Sequence, residues 1–239
     1  MSATTSTTAG RTADPYLDTD VIDERAPRVN QAVVGLVALA GAVFGWPLAW
    51  ALLAAQLLIG LTFGRRWCLP CLLYFELIQP RFGEGRLEDA RAPRLANQIG
   101  VAFLTAAALS WWLGATALAT VLGSLLAALA LLAASTGLCV GCELYRIGAR
   151  LRGVSDRRHD RIDPADDGGL GPSSRPVIQF THPLCTECRE LAAELAAGPD
   201  PVVELDVRKR PDLARKYGVG IVPTAVAVGP DGGVLERLA

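Results

Sequence analysis

Two stretches of this chain carry no charged side chain: Val29 to Gly64, 36 residues, and Leu95 to Cys142, 48 residues. A single bilayer crossing takes about 20 apolar residues. Each stretch therefore has room for two helices and a tight turn. A soluble bundle needs polar outer faces, and these segments offer almost none. The pattern predicts four transmembrane helices, at about 29–45, 48–64, 95–112 and 116–138. Gly45-Trp46-Pro47 closes the first hairpin and Trp111-Trp112-Leu113-Gly114 the second, because proline ends helices and tryptophan favours the membrane interface. Gly41 and Gly45 form a small-xxx-small face, and the many alanines allow close backbone approach.

The two stretches are copies of one plan. Each opens on Arg-Ala-Pro-Arg (25–28 and 91–94), runs through Asn-Gln and a long apolar hairpin, and ends on Cys-x-x-Cys with a tyrosine three residues on. Neither tryptophan turn carries charge, whereas arginines crowd the other flanks: Arg25 and Arg28, Arg65 and Arg66, Arg91 and Arg94, Arg146 and Arg150. The positive-inside rule places both termini and the central loop in the cytoplasm. Two hairpins that start from the same side form a parallel repeat about an axis along the membrane normal. Residues 1–24, polar and then acidic, lack the basic and apolar regions of a signal peptide and read as a disordered cytoplasmic tail.

All six cysteines fall into three Cys-x-x-Cys pairs: Cys68/Cys71, Cys139/Cys142 and Cys185/Cys188. A disulfide scaffold would scatter them through a short secreted domain. The first two pairs lie at the cytoplasmic rim of the hairpins, each where a short helix should begin. There the helix dipole favours thiolate. Three chemistries fit: dithiol–disulfide cycling in each pair, one Cys₄ site for zinc or iron assembled from Cys68, Cys71, Cys139 and Cys142, or inert interfacial packing. A net charge of −1 gives no reason to expect nucleic acid as a partner.

Residues 25–150, through "RVNQ", "ANQIG" and above all "GLCVGCELY", resemble a bacterial family of four-helix membrane domains. That family occurs alone or beside rhodanese-like or thioredoxin-like partners. The resemblance implies sulfur or thiol chemistry without specifying a substrate.

Gly, Pro, Ser and mixed charge over 153–175 predict a flexible linker, with His159 solvated inside it. Beyond it, an apolar strand (177–180), a helix opened by Cys185 (186–197), a strand (202–207), a helix ending at Gly218 and a closing hairpin give a parallel-then-antiparallel α/β order. His182, three residues before Cys185, is read as a loop residue.

Residues 176–238 resemble a thioredoxin domain: Cys-x-x-Cys opening a helix after a strand, then "DLARKYGVGIVPT", then an Asp-Gly hairpin. The resemblance implies that Cys185 is an exposed nucleophile and Cys188 the resolving thiol. It implies a cis Pro223 facing the site, Val222 offering backbone contacts to a partner, and a thioredoxin-reductase-like electron donor. Several positions depart from the family. The motif is Cys-Thr-Glu-Cys, Leu184 replaces a tryptophan, and Gln179 stands where thioredoxin has a buried Asp. The first strand–helix unit and the last helix have no counterpart, so the module is minimal.

Together these readings predict a four-helix membrane domain (25–152) joined to a minimal thioredoxin-like domain (176–239). The expected protein is a multi-pass cell-membrane thiol–disulfide oxidoreductase with cytoplasmic termini. It would act on protein thiols or a small thiol or persulfide. A metal-binding scaffold and a persulfide carrier are the alternatives.

Overall fold

The computed structural model describes residues 13–152, 161–163 and 176–239. Contacts divide the chain into a helical unit, Thr19–Gly148, and a second unit formed by Ala149–Ala239 with the described residues up to Asp18.

The helical unit opens with β1 (Val21–Asp23), α1 (Arg25–Phe44) and α2 (Pro47–Phe63). A 3₁₀ turn (Arg65–Trp67) leads into α3 (Leu69–Leu72), a π-helical stretch (Leu73–Ile78) and α4 (Gln79–Phe82). Then follow β2 (Leu87–Asp89), α5 (Arg91–Trp112), α6 (Thr116–Thr136) and α7 (Val140–Arg152). Two of these, α1 and α6, are long and apolar enough to cross a membrane, and α2 is a shorter apolar helix. The helix α5, 22 residues long, is not among them.

The helices α1 and α5 begin four residues earlier than their apolar runs suggest, because each repeat caps its helix with an aspartate. Asp23 Oδ1 accepts the Arg25 amide at 3.0 Å and Asp89 Oδ1 the Arg91 amide at 2.9 Å. Pro27 and Pro93 then occupy the first turn, where a missing N–H costs nothing.

A second departure concerns the N-terminal segment, of which residues 1–12 lie outside the described residues. Val21–Asp23 is a strand, not a tail, and pairs antiparallel with β2 in the register Val21↔Asp89, Ile22↔Glu88, Asp23↔Leu87. Glu24 N–H donates to Arg86 O and Ala90 N–H to Asp20 O, both at 2.9 Å. Equivalent residues of the repeats thus meet reciprocally, as they must across a pseudo-two-fold axis. Further back, Asp14 Oδ1 accepts the Tyr16 and Leu17 amides at 2.8 and 3.1 Å, making a turn of residues 14–17.

Packing follows the same symmetry: α1 lies against α6 and α2 against α5. Trp50 of α2 is wholly buried and donates Nε1–H to Ala38 O of α1 at 3.0 Å. Its indole fills the space left by two glycines: a Cβ on Gly41 would lie 2.7 Å, and one on Gly123 2.6 Å, from ring atoms. Gly45 does not share this role. It is the left-handed C-cap of α1 (φ 63°), which is why it is glycine. Trp111 packs edge-on to Trp50, with centroids 6.0 Å apart.

The second unit is built on a four-stranded sheet in the order β4-β3-β5-β6. Its elements are β3 (Val177–Thr181), α8 (Thr186–Ala196), β4 (Val202–Asp206), α9 (Pro211–Lys216), β5 (Thr224–Val228) and β6 (Val234–Arg237). The strand β3 pairs parallel with β4 and antiparallel with β5, and β5 runs antiparallel to β6. Strand alternation splits β3 between two cores. Ile178 and Phe180 join Leu213 and Tyr217, while Val177 joins Ala225 and Ala227, with Leu191 and Leu195 of α8 beside them.

Part of the expected linker belongs to this unit. Ile162, the one apolar residue in "DRRHDRID", is 1% exposed in the core beside Tyr217. It is held by Ile162 N–H to Gly232 O (2.7 Å) and Asp163 N–H to the Tyr217 hydroxyl (2.9 Å). Burying one isoleucine is worth about 1.5–3 kcal/mol, which offsets part of the cost of ordering these residues, about 1–2 kcal/mol each. His159 lies outside the described residues.

Candidate functional site

Each Cys-x-x-Cys pair is built the same way. The first cysteine stands immediately before a helix, so its side chain faces that helix's unpaired amides. Cys68 precedes α3, Cys139 precedes α7 and Cys185 precedes α8. In all three, the first sulfur accepts the backbone N–H of the second cysteine: Cys71 N to Cys68 Sγ at 3.3 Å, Cys142 N to Cys139 Sγ at 3.3 Å, and Cys188 N to Cys185 Sγ at 3.2 Å. That is the N-cap geometry of serine or aspartate with sulfur as the acceptor. Each pair is joined as a disulfide, with Cα atoms 5.1, 5.1 and 5.3 Å apart. A sulfur that accepts an amide hydrogen bond at a helix N-terminus is stabilised as thiolate after reduction.

The surroundings differ. Cys68 and Cys142 are buried at 7% and 9% exposure, whereas Cys71 and Cys139 are half-buried. Cys68 packs on α2 at Gly60, where a Cβ would come 3.1 Å from the Cys68 Cβ. Gly141, inside the second pair, lies against α5, where a Cβ would come 2.9 Å from the Ala96 Cα. Pro70 holds the matching position in the first pair. The four rim cysteines stand as two separate disulfides. Among the described residues no group of three or more His, Cys, Asp or Glu is placed to hold a metal ion.

Cys185 and Cys188 are both fully buried, which corrects the expectation of an exposed nucleophile at Cys185. The reason is the turn before it. Cys185 N–H donates to His182 O at 3.0 Å, and Leu184 N–H donates to His182 Nδ1 at 3.2 Å. His182, itself 2% exposed, and Cys185 are thus the two buried ends of a turn whose middle, Pro183, is exposed. Gln179 is fully buried on β3 and donates Nε2–H to Cys188 O at 2.8 Å, tying the strand to the first turn of α8. The Val222–Pro223 peptide is cis, and Val222 belongs to the same core as both cysteines.

Two further groups escaped the sequence reading. Asn30 of α1 and Asn97 of α5 meet between the repeats, Asn30 Nδ2 donating to Asn97 Oδ1 at 3.1 Å. The signal was present in the duplicated Asn-Gln of two otherwise apolar helices. Tyr74, 1% exposed, follows the first cysteine pair, and its hydroxyl is pushed well above the usual tyrosine range by burial and then by the Asp23 carboxylate.

A mainly helical unit with apolar helices and two cysteine pairs, joined to a small α/β unit carrying a third, defines the class. Residues 22–150 match the model of DUF4395, a domain of unknown function, and the chain belongs to that family. The matched region begins within β1, takes in α1 to α6 and both of the first two cysteine pairs, and ends within α7, before β3. No curated protein and no solved structure matches the chain.

Proposed function

We propose that this chain is a membrane-embedded thiol–disulfide oxidoreductase. Its four long helices, α1, α2, α5 and α6, span the bilayer with both termini cytoplasmic. The α/β unit is a minimal thioredoxin-like module that exchanges electrons with the cysteine pairs at the rim. One observation carries the reading: the same sulfur-capped helix N-terminus recurs three times, at Cys68, Cys139 and Cys185. Structural disulfides have no need of that placement, while exchange does, because it lowers the energy of the attacking or leaving thiolate. The strand order β4-β3-β5-β6 and the cis Pro223 support the thioredoxin-like assignment. Exposed apolar side chains along the helices, such as Leu36, Leu52, Leu109 and Leu125, support a lipid environment.

In this scheme the module is reduced at Cys185/Cys188. The Cys185 thiolate attacks a rim disulfide, the mixed disulfide forms, and Cys188 then displaces the rim cysteine to leave a rim dithiol. The reverse sequence oxidises the rim. Opening of the 182–185 turn is required for either direction, since Cys185 is buried.

The test is to trap the intermediate. Cys188→Ser removes the resolving thiol, so Cys185 should be caught in a disulfide with Cys68, Cys71, Cys139 or Cys142. Non-reducing peptide mapping of the full chain in detergent would find it. With Ile162 anchored, nine peptide links join Arg152 to Arg161, and an extended chain of that length reaches at most about 30 Å. Cys185→Ser should trap nothing. Equal trapping by both variants, or by neither, would refute the exchange. One metal ion per chain that shields the four rim cysteines from alkylation would replace it with a Cys₄ site.

A further inference from the structure

A cavity of about 270 Å³ lies inside the helical unit and opens beside the second cysteine pair. Its walls come from α1, α5, α6 and α7 with Leu57 of α2, and they are mostly apolar. The polar side chains are Asn30, Gln31 and Asn97, and Cys139, Val140 and Gly141 also line it. Asn30 is 6% exposed, and its Oδ1 has no hydrogen-bond partner although Nδ2 is satisfied by Asn97. A buried amide oxygen without a partner costs free energy comparable to a lost hydrogen bond. It lines a cavity large enough for a substituted ring, since an apolar cavity of roughly 150 Å³ already admits benzene. A second and larger cavity, about 1110 Å³, also includes Asn30 and is lined by Leu69, Pro70 and Leu73 after the first pair. These positions match Val140, Gly141 and Leu144 of the smaller one. The residues after each first cysteine thus face a cavity that shares Asn30.

Resting on the membrane-redox reading above, we propose that the smaller cavity binds the ring of a lipid-soluble quinone, and that Cys139/Cys142 exchanges electrons with it. Three features select this class over a phospholipid chain. The cavity is ring-sized and apolar, as a quinone that partitions into lipid requires. Its polar side chains are amides, Asn30, Gln31 and Asn97, each of which offers either an acceptor or a donor according to its orientation. A quinone carbonyl accepts and a quinol hydroxyl donates, so one amide serves both redox forms. Finally, Cys139, one sulfur of a pair capable of two-electron chemistry, lines the same cavity.

The step balances without another reagent. The Cys139/Cys142 dithiol loses two S–H bonds and gains one S–S bond, releasing two electrons and two protons. The quinone takes both electrons and both protons, its two carbonyls becoming the two hydroxyls of the quinol. The same step run backwards reduces the disulfide.

Purified full-length protein in detergent, reduced and desalted, is mixed anaerobically with a short-tailed ubiquinone analogue. Quinone absorbance and free thiols are followed together. The expected result is loss of two thiols per quinone reduced, with a rate that saturates in quinone. The Cys139→Ser/Cys142→Ser variant should lose that phase, and the Cys185→Ser/Cys188→Ser variant should keep it. Asn30→Leu removes the amide whose oxygen lacks a partner, and Leu129→Trp fills the cavity from a half-buried wall position. Each should slow the quinone reaction at least tenfold. Oxidation of the same variants by a small water-soluble disulfide should be unchanged, which separates pocket loss from misfolding. A non-saturating rate, equal rates in both cavity variants and the parent, or a co-purified phospholipid that quinone does not displace would overturn the proposal. Trapping of Cys185 on the rim without quinone binding would sink only this inference. Saturable oxidation of Cys139/Cys142 without any Cys185 cross-link would sustain it and sink the exchange with the α/β module.

Discussion

The packing of Trp50 between two glycines makes Gly123→Ala a quantitative test of the helical arrangement. The added methyl would sit 2.6 Å from Trp50 Cζ2, 2.7 Å from Cε2 and 2.9 Å from Nε1. The ring cannot swing away freely, because it is wholly buried and Gly41 closes its other side. Overpacking of this kind costs about 1–3 kcal/mol. If the ring moves far enough to break Nε1–H to Ala38 O, an unpaired buried donor adds about 1–3 kcal/mol. Against these stands a gain of about 1 kcal/mol from replacing glycine by alanine inside a helix. The net destabilisation is therefore about 0–2 kcal/mol if that hydrogen bond survives and about 1–5 kcal/mol if it breaks. Gly148→Ala is the control: nothing lies within 4 Å of the added Cβ, so only the helix gain remains. All five tryptophans fall between residues 46 and 112. Tryptophan fluorescence during titration with a denaturing detergent thus reports on the helical unit alone. Trp50→Phe in the Gly123→Ala background should recover part of the loss, giving a coupling of 0.5 kcal/mol or more, as expected of residues in contact. Equal stability of the Gly123→Ala and Gly148→Ala proteins would refute the packing of α2 against α1 and α6 described above.

Two other expectations concern topology and titration. In intact cells a membrane-impermeant thiol reagent applied after mild reduction should miss all six cysteines, while inverted vesicles should expose rim cysteines; labelling of Cys185 from outside would reverse the orientation. The raised Tyr74 pKa means that its hydroxyl stabilises the fold below the unfolded tyrosine value of about 10, and that this contribution is lost as pH rises above it. Wild type and Tyr74→Phe should therefore share one tyrosinate absorbance curve up to the alkaline unfolding transition, and a difference that appears at about pH 10, while the protein is still folded, would contradict the burial.

What the sequence made legible follows from which forces act locally. The hairpin turns were readable because Pro47, Gly45 and Gly114 punctuate the chain by backbone geometry alone. The helices begun by the cysteines were readable because N-capping is a local act. Charge does not mark the starts of α1 and α5. Arg25, Arg28, Arg91 and Arg94 are in fact inside the first turns, and aspartates set the start. The strand β1 escaped because its partner is more than 60 residues away, and three residues carry no periodicity. Ile162 escaped because composition averages over a window, and one buried side chain in a charged stretch vanishes in the average. The burial of Cys185 depends on how His182 closes the preceding turn, which family likeness does not specify.

The duplication itself constrains the chemistry. In a two-fold repeat, equivalent residues that meet on the axis must pair with themselves. Strands do so without loss: β1 and β2 exchange reciprocal hydrogen bonds centred on Ile22↔Glu88. The asparagines do not meet in this way: Asn30 stands five residues after Arg25 and Asn97 six after Arg91, so their single bond lies off the symmetry, and Asn30, not Asn97, is left with the buried oxygen that lacks a partner. The repeats have diverged in the same sense at their cysteines. Pro70 in the first pair answers to Gly141 in the second, and Leu72 to Glu143, which is held by Arg146 at 3.1 Å. A repeat kept only for packing would have no reason to place its asymmetry beside the sulfur atoms. The two pairs are therefore unequal in the residues between and after their sulfurs, so exchange at one pair has to be tested separately from exchange at the other.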